Sequence, residues 1–214
     1  MNKATQVILV NEQDEPAGVM EKMEAHLKGE LHRAFSVFIF NSKGEMLLQQ
    51  RAKGKYHSAG LWTNACCSHP MPGEETADAA TRRLQEEMGF TTSLLKIFDF
   101  VYKSEFEHGL TEHEFDHVFV GTWDGKIQPD KQEVLDYCYK SRDEIESSLL
   151  THPQKHRAWF NIAFPRVQQW ARENQLKNAL AEEPIMSTGY DLVDVHSNYN
   201  RNLYSDGRHY LANP

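Results

Sequence analysis

Residues 61–90, LWTNACCSHPMPGEETADAATRRLQEEMGF, concentrate groups that do chemistry: Cys67 and His69, followed by a helical stretch ending in Glu86, Glu87 and Gly89. Ala77, Ala80, Leu84 and Met88 fall at near-helical spacing, which predicts one face on a core and leaves Arg82, Arg83, Glu86 and Glu87 around the rest. Gly89 stops the helix. A loop entering a helix that carries clustered carboxylates is how a fold holds divalent cations over a phosphate chain. Further along, Glu112 and Glu114 sit in a strand-like run, where alternation points both side chains to one face and lets them converge on one ion. His32, opening another strand, and His69, from the loop, could meet them there. Singly these are weak signals: the chain has 11 His, His113 and His117 lie close by, and Glu-x-Glu on a strand is commonly a solvated face.

The elements that must position these groups follow from periodicity. Residues 5–10 read as a first strand, 12–18 as a polar turn, and 32–40 as a second strand, which the turn NSKG at 41–44 sends back along 45–51. The segment 19–30, with Lys22 and His26, is undecided. Residues 94–103 and 112–123 form two more strands joined by a loop around 107–110, and 135–140 a further one. Ser141 with Glu144 makes a capping box for a short helix. A longer helical pattern over 155–176 is expected to kink or divide at Pro165. Mixed strands with a few helices give an α/β layered sandwich over residues 1–180. Residues 181–214, polar and carrying Tyr190, Tyr199, Tyr204 and Tyr210 without a period, read as an extension that is either an arm laid over the domain or partly disordered.

With 214 residues, 40% of them hydrophobic and 25% charged, the chain has the make-up of an ordinary soluble domain. No apolar run reaches membrane-spanning length and the N-terminus lacks a signal-peptide layout, so no membrane and a cytoplasmic location are expected. Three cysteines, two adjacent, form no disulfide framework and fit a reducing compartment. A net charge of -8 argues against nucleic acid, yet Lys22, Arg51, Lys53, Lys55, Arg82 and Arg83 could focus an anion locally. For Lys53 and Arg82 a solvated surface position is the preferred reading.

Residues 68–90 resemble a degenerate Nudix box, the loop-helix motif of enzymes that handle diphosphates: Glu74, Arg82, Leu84, Glu86, Glu87 and Gly89 match it. Ser68 stands where the box opens with Gly, and Arg83 where hydrolases of the family carry a Glu. With WTNACCSHP upstream, those departures resemble the type 1 isopentenyl diphosphate isomerases, over residues 7 to about 166. The resemblance implies a Nudix-type α/β/α sandwich with a mixed sheet, and isomerisation of isopentenyl to dimethylallyl diphosphate through a tertiary carbocation.

By that resemblance His26, His32, His69, Glu112 and Glu114 hold one Mn2+, Mg2+ or Zn2+. Glu87 ligates a Mg2+ brought by the diphosphate, with an i,i+4 salt bridge to Arg83 as its alternative. Lys22, Arg51, Lys55 and Arg83 grip the diphosphate. Cys67 and Glu114 handle the two protons, Tyr102 hydrogen-bonds that machinery, and Trp159 offers its ring to the cation. Trp62 helps wall the pocket, and Cys66 points the other way as a core residue. In RAWF, Arg157 and Ala158 depart from the family's usual Thr-Pro before the tryptophan. No flavin or nicotinamide is implied, and a monomer or weak dimer is expected. The alternatives are a Nudix hydrolase of another diphosphate, which Arg83 weakens, and a non-enzymatic binding protein.

Overall fold

The computed structural model describes residues 6–54, 58–105, 109–157 and 159–182, with side chains described up to residue 174. Nine strands and four α-helices form among them: β1 (Gln6–Val10), β2 (Pro16–Glu21), α1 (Lys22–Lys28), β3 (His32–Phe40), β4 (Met46–Arg51), β5 (Trp62–Thr63), β6 (Cys66–Ser68), α2 (Thr76–Met88), β7 (Leu95–Glu105), β8 (Thr111–Thr122), β9 (Val134–Lys140), α3 (Arg142–Thr151) and α4 (Phe160–Glu182). A 3-10 turn, Pro153–Lys155, precedes α4.

β3 is the hub, and its sequence HRAFSVFIF shows why. It is apolar on both faces, as a strand covered on both sides must be. Phe35, Val37 and Ile39 pack with Ala79, Ala80, Leu84 and Met88 of α2, while Phe38 between them joins Trp159, Phe160 and Phe164 at the start of α4. The same alternation runs through β8, where Phe119 goes to the first cluster and Val118 and Val120 to the second. The result is a mixed sheet between helical layers, as expected. Each large apolar side chain so buried contributes about 1.5–3 kcal/mol.

β3 pairs with β8 in parallel, in register from His32↔Glu114 to Phe40↔Thr122. It meets β1 at His32, β6 through Ser36↔Cys67, and β4 at Phe40, all antiparallel. β7 extends the sheet beyond β8, and β9 and β5 pair with β4.

Three expectations need correction or narrowing. The turn expected over 12–18 is shorter, because Asn11 Oδ1 accepts the N–H groups of Gln13 and Glu15 at 3.0 and 2.9 Å and lets β2 begin at Pro16. On α2 the buried face takes Ala79 rather than Ala77, and it includes Glu87. Of the two outcomes expected at Pro165, division does not occur: α4 is one helix through it. That proline lies in the second turn, where it removes one backbone bond, and the break in the long helical pattern falls earlier, at the 3-10 turn. The undecided segment is β2 followed by α1, which Glu21 caps and Gly29 ends at φ 65°. Ser141 and Glu144 form the expected capping box. The extension expected at 181–214 lies outside the described residues from 183 onward.

Gly89 closes α2 at φ 77°, and a Cβ there would stand 2.3 Å from the Gln128 carbonyl oxygen. Gly89→Ala therefore combines left-handed strain with a backbone clash. It is expected to lower unfolding stability by about 1–3 kcal/mol in urea melts. A melt unchanged from wild type would show that Gln128 gives way freely.

Candidate active site

α1, β3 and the chain after β6 bring three imidazoles together. Nδ1 of His26 lies 2.6 Å from the Lys22 carbonyl oxygen, and Nδ1 of His32 lies 2.8 Å from that of Glu30. A carbonyl only accepts, so both Nδ1 atoms carry the proton and donate it, leaving each Nε2 as a lone pair. His69 Nε2 is 3.1 Å from Glu114 Oε1. One ligand atom each from His26, His32, His69 and Glu114 lie within 4.8 Å of one another. Among the described residues the buried Nε2 of His32 has no hydrogen-bond partner, and it lies 3.7 Å from Glu114 Oε1. A dry lone pair facing a carboxylate is unfavourable unless a cation lies between them, so the donor set fits a divalent ion.

Protonation points the same way. Burial lowers the imidazole of His26, and lowers that of His69 to about 3, so both are neutral. Burial alone would raise the carboxyl of Glu114, but its contacts with His32 and His69 hold it well below the usual carboxylate range. Neutral imidazoles and an ionised carboxylate are the forms that ligate metal.

Glu112 has a different set of partners. Its Oε1 accepts from Nη2 of Arg157, and its Oε2 lies 3.2 Å from the Tyr102 hydroxyl, which donates more closely to Glu114 Oε2 at 2.6 Å. Tyr102 thus bridges the two carboxylates. The four-residue donor group does not include Glu112, although the alternation expected for Glu112 and Glu114 holds and both are buried.

Cys67 sits in β6. Its thiol donates to Asn64 Oδ1 at 2.8 Å, and Asn64 is itself fixed by donating to the carbonyls of Val37 and Cys66. Burial pushes the Cys67 thiol far up, so it holds its proton. Cys66 packs into the α2 cluster as expected. Ser36 Oγ, 3.9 Å from Cys67 Sγ, donates to Asp116 at 2.7 Å.

A cavity of about 310 Å³ joins these groups to a cationic side. Lys22, Arg51 and Arg83 line it with Cys67, His69, Glu87, Glu112, Glu114, Arg157 and Trp159. Arg83 bonds Glu86 and Glu87, each at 2.6 Å, so the expected i,i+4 bridge is present, while its buried Nε has no partner among the described residues. Gln49 also donates to Glu87, at 3.1 Å. Arg82 is no idle surface charge: it grips Glu74 through two bonds of 2.7 and 2.9 Å, tying the loop to α2. Lys55 lies outside the described residues.

Trp62 departs from expectation. It packs with Leu48, Cys138 and Ile145 and lines a second cavity against α3, not this one. Asn64 and Gln49 escaped the sequence reading, and Arg157 entered it only as a departure from the family pattern. Their signal was a polar residue inside an otherwise apolar strand or aromatic run, which usually means a buried partner.

The chain matches the NUDIX domain family over residues 30–161. It is 52% identical over 166 residues to isopentenyl-diphosphate Delta-isomerase of Pectobacterium atrosepticum, covering 78% of this chain and 93% of the relative. It is 49% identical over 162 residues to isopentenyl-diphosphate Delta-isomerase 2 of Aromatoleum aromaticum, covering 76% and 86%. Among solved structures, DR0079 from Deinococcus radiodurans aligns with TM-score 0.59 at 18% identity, over 69% of this chain and 90% of that one. The MutT protein from Methanosarcina mazei Go1 aligns with TM-score 0.53 at 23% identity, over 67% and 95%. These two likenesses concern the fold.

If the histidine cluster binds a cation, chelator-stripped protein titrated with Mn2+ should show saturable uptake that His69→Ala weakens at least about tenfold. The melting temperature should rise with Mn2+ in the wild type, since a ligand at a hundred times its Kd stabilises by about 2.7 kcal/mol, and much less in the variant. Equal uptake by both proteins would place the ion elsewhere.

Proposed function

The chain belongs to the isopentenyl-diphosphate Delta-isomerase family of Nudix-domain proteins, and from that membership we infer how its own residues interconvert isopentenyl diphosphate and dimethylallyl diphosphate. The observation that carries the mechanism is the meeting, in one cavity, of a protonated thiol, an ionised carboxylate and a cluster of cations.

The reaction moves a double bond by adding a proton at one end of a three-carbon unit and removing one from the other. Two groups flanking the substrate can do this, one donating while the other accepts, with the roles exchanged in the reverse direction. Cys67 and Glu114 are those groups. Asn64 orients the Cys67 thiol, and Tyr102 holds one oxygen of Glu114 while the histidines face the other. The intermediate is a tertiary carbocation, which water would capture. Trp159, 2% exposed and on the cavity wall, excludes water and offers a ring face, where a desolvated cation contact is worth about 2 kcal/mol.

His26, His32, His69 and Glu114 would hold a divalent ion, whose charge fixes the Glu114 carboxylate and changes its basicity. Lys22, Arg51 and Arg83 take the diphosphate, with Lys55 completing the clamp. Arg83 brings a buried Nε in need of an acceptor. Glu87 stands beside Arg83, suited to a Mg2+ carried in by the diphosphate. Arg83 replaces a carboxylate that a hydrolase would use for metal, which favours holding the diphosphate over cleaving it.

In D2O with Mg2+ and isopentenyl diphosphate, wild type should form dimethylallyl diphosphate carrying deuterium, followed by NMR. Cys67→Ala and Glu114→Gln should each lose at least about a hundredfold in rate, the usual worth of a positioned proton-transfer group. Release of phosphate or monophosphate in place of the isomer would put the hydrolase reading in its stead.

A further inference from the structure

Arg157, which stands where the family pattern has Thr-Pro, forms a buried pair with Glu112. Arg157 and Glu112 are 6% and 2% exposed, and the guanidinium donates directly to Glu112 Oε1. The backbone fixes Arg157 from below: its N–H donates to the Trp62 carbonyl at 3.2 Å, beside the bridge that joins His156 to β5. Its guanidinium carbon stands 5.9 Å from the centre of the Trp159 ring. An arginine cannot shed its charge, so burial at this depth requires an anion held against it. Glu114, the other carboxylate within reach of Tyr102, is turned to His32 and His69 instead.

We propose that Glu112 is the counter-ion of Arg157 and not a ligand of the divalent ion, so that the metal centre consists of His26, His32, His69 and Glu114. The two carboxylates divide the work. Glu114 faces the cation and the substrate, whereas Glu112 cancels a fixed positive charge next to the ring that faces the carbocation. Without Glu112 that charge would oppose the developing cation, and a metal ion competing for Glu112 would leave Arg157 unpaired in a dry site. Glu112 is thus a positioning residue, acting through Arg157.

This inference rests on the metal reading above, and the test separates the two. Stripped full-length protein is titrated with Mn2+ as wild type, Glu112→Gln, Glu114→Gln and the double variant Glu112→Gln/Arg157→Met. The double variant is expected to bind Mn2+ within about threefold of wild type, while Glu114→Gln falls at least about tenfold. Glu112→Gln alone should melt roughly 6–12 °C lower, the effect of an unpaired buried charge, and should lose kcat with KM little changed. Removing the arginine as well should restore most of the melting temperature and part of kcat. A double variant as poor in Mn2+ as Glu114→Gln would make Glu112 a ligand and overturn the proposal, as would a failure of Arg157→Met to recover either quantity. A wild type that takes up no Mn2+ would overturn the metal reading and this inference with it.

Discussion

The parallel ladder between β3 and β8 is the constraint from which the rest of the structure follows. Its register sets His32 opposite Glu114, and six residues on sets Phe38 opposite Val120. Because side chains alternate with period two, His32, Ser36 and Phe38 share a face with Glu112, Glu114, Asp116, Val118 and Val120. That face runs from a polar end, where the histidines and carboxylates meet, to an apolar end closed by Trp159 and Phe160. A slip of one residue would turn Glu114 away from the histidines and move Val118 and Val120 together to the α2 side. The register that builds the core is therefore the one that builds the site.

The same alternation decided how much could be read in advance. β3, β8 and the box helix were legible because their apolar residues repeat with the period of the element. α1 was not, since seven residues give too short a window, and His26 could be placed only by its order in a family pattern. Ala77 and Ala79 are indistinguishable by composition, and packing against β3 and β6 chose the latter. Trp62 went to the α3 side because the short β5 pairs with β4, whose Leu48 it joins. The partner of Glu112 lay 45 residues away, on a segment with no period at all. Contacts of that kind are fixed by the assembled fold, and the only trace in the sequence was an arginine in an aromatic run.

Buried charges here are arranged for function more than for stability, since such pairs seldom repay their desolvation against an apolar replacement. Four carboxylates, Glu87, Glu112, Glu114 and Asp116, are less than a tenth exposed. Each meets the problem differently. Glu112 takes a guanidinium, Glu114 takes two histidines and a phenol, and Glu87 takes Arg83 and Gln49. Asp116, with Ser36 as its one hydrogen-bond donor among the described residues, is pushed well above the usual carboxylate range by burial. Four chemically similar side chains therefore differ in charge and availability, which is how one residue type can fill several roles in one cavity.

Arg83 shows how a single exchange redirects such a site. Placed on α2 one turn before Glu87, it neutralises the carboxylates of Glu86 and Glu87 and still presents an Nε that lacks an acceptor among the described residues. On the proposed reading, Glu87 would turn to a cation carried by the diphosphate and Arg83 to a phosphate oxygen, so that each exchanges one opposite charge for another. A carboxylate at that position would instead gather more metal over the phosphate bond and favour attack by water. On the proposed reading, an arginine there anchors the diphosphate as an anion and leaves the chemistry to the hydrocarbon end, beside Cys67, Glu114 and the buried Trp159 ring on the same cavity wall.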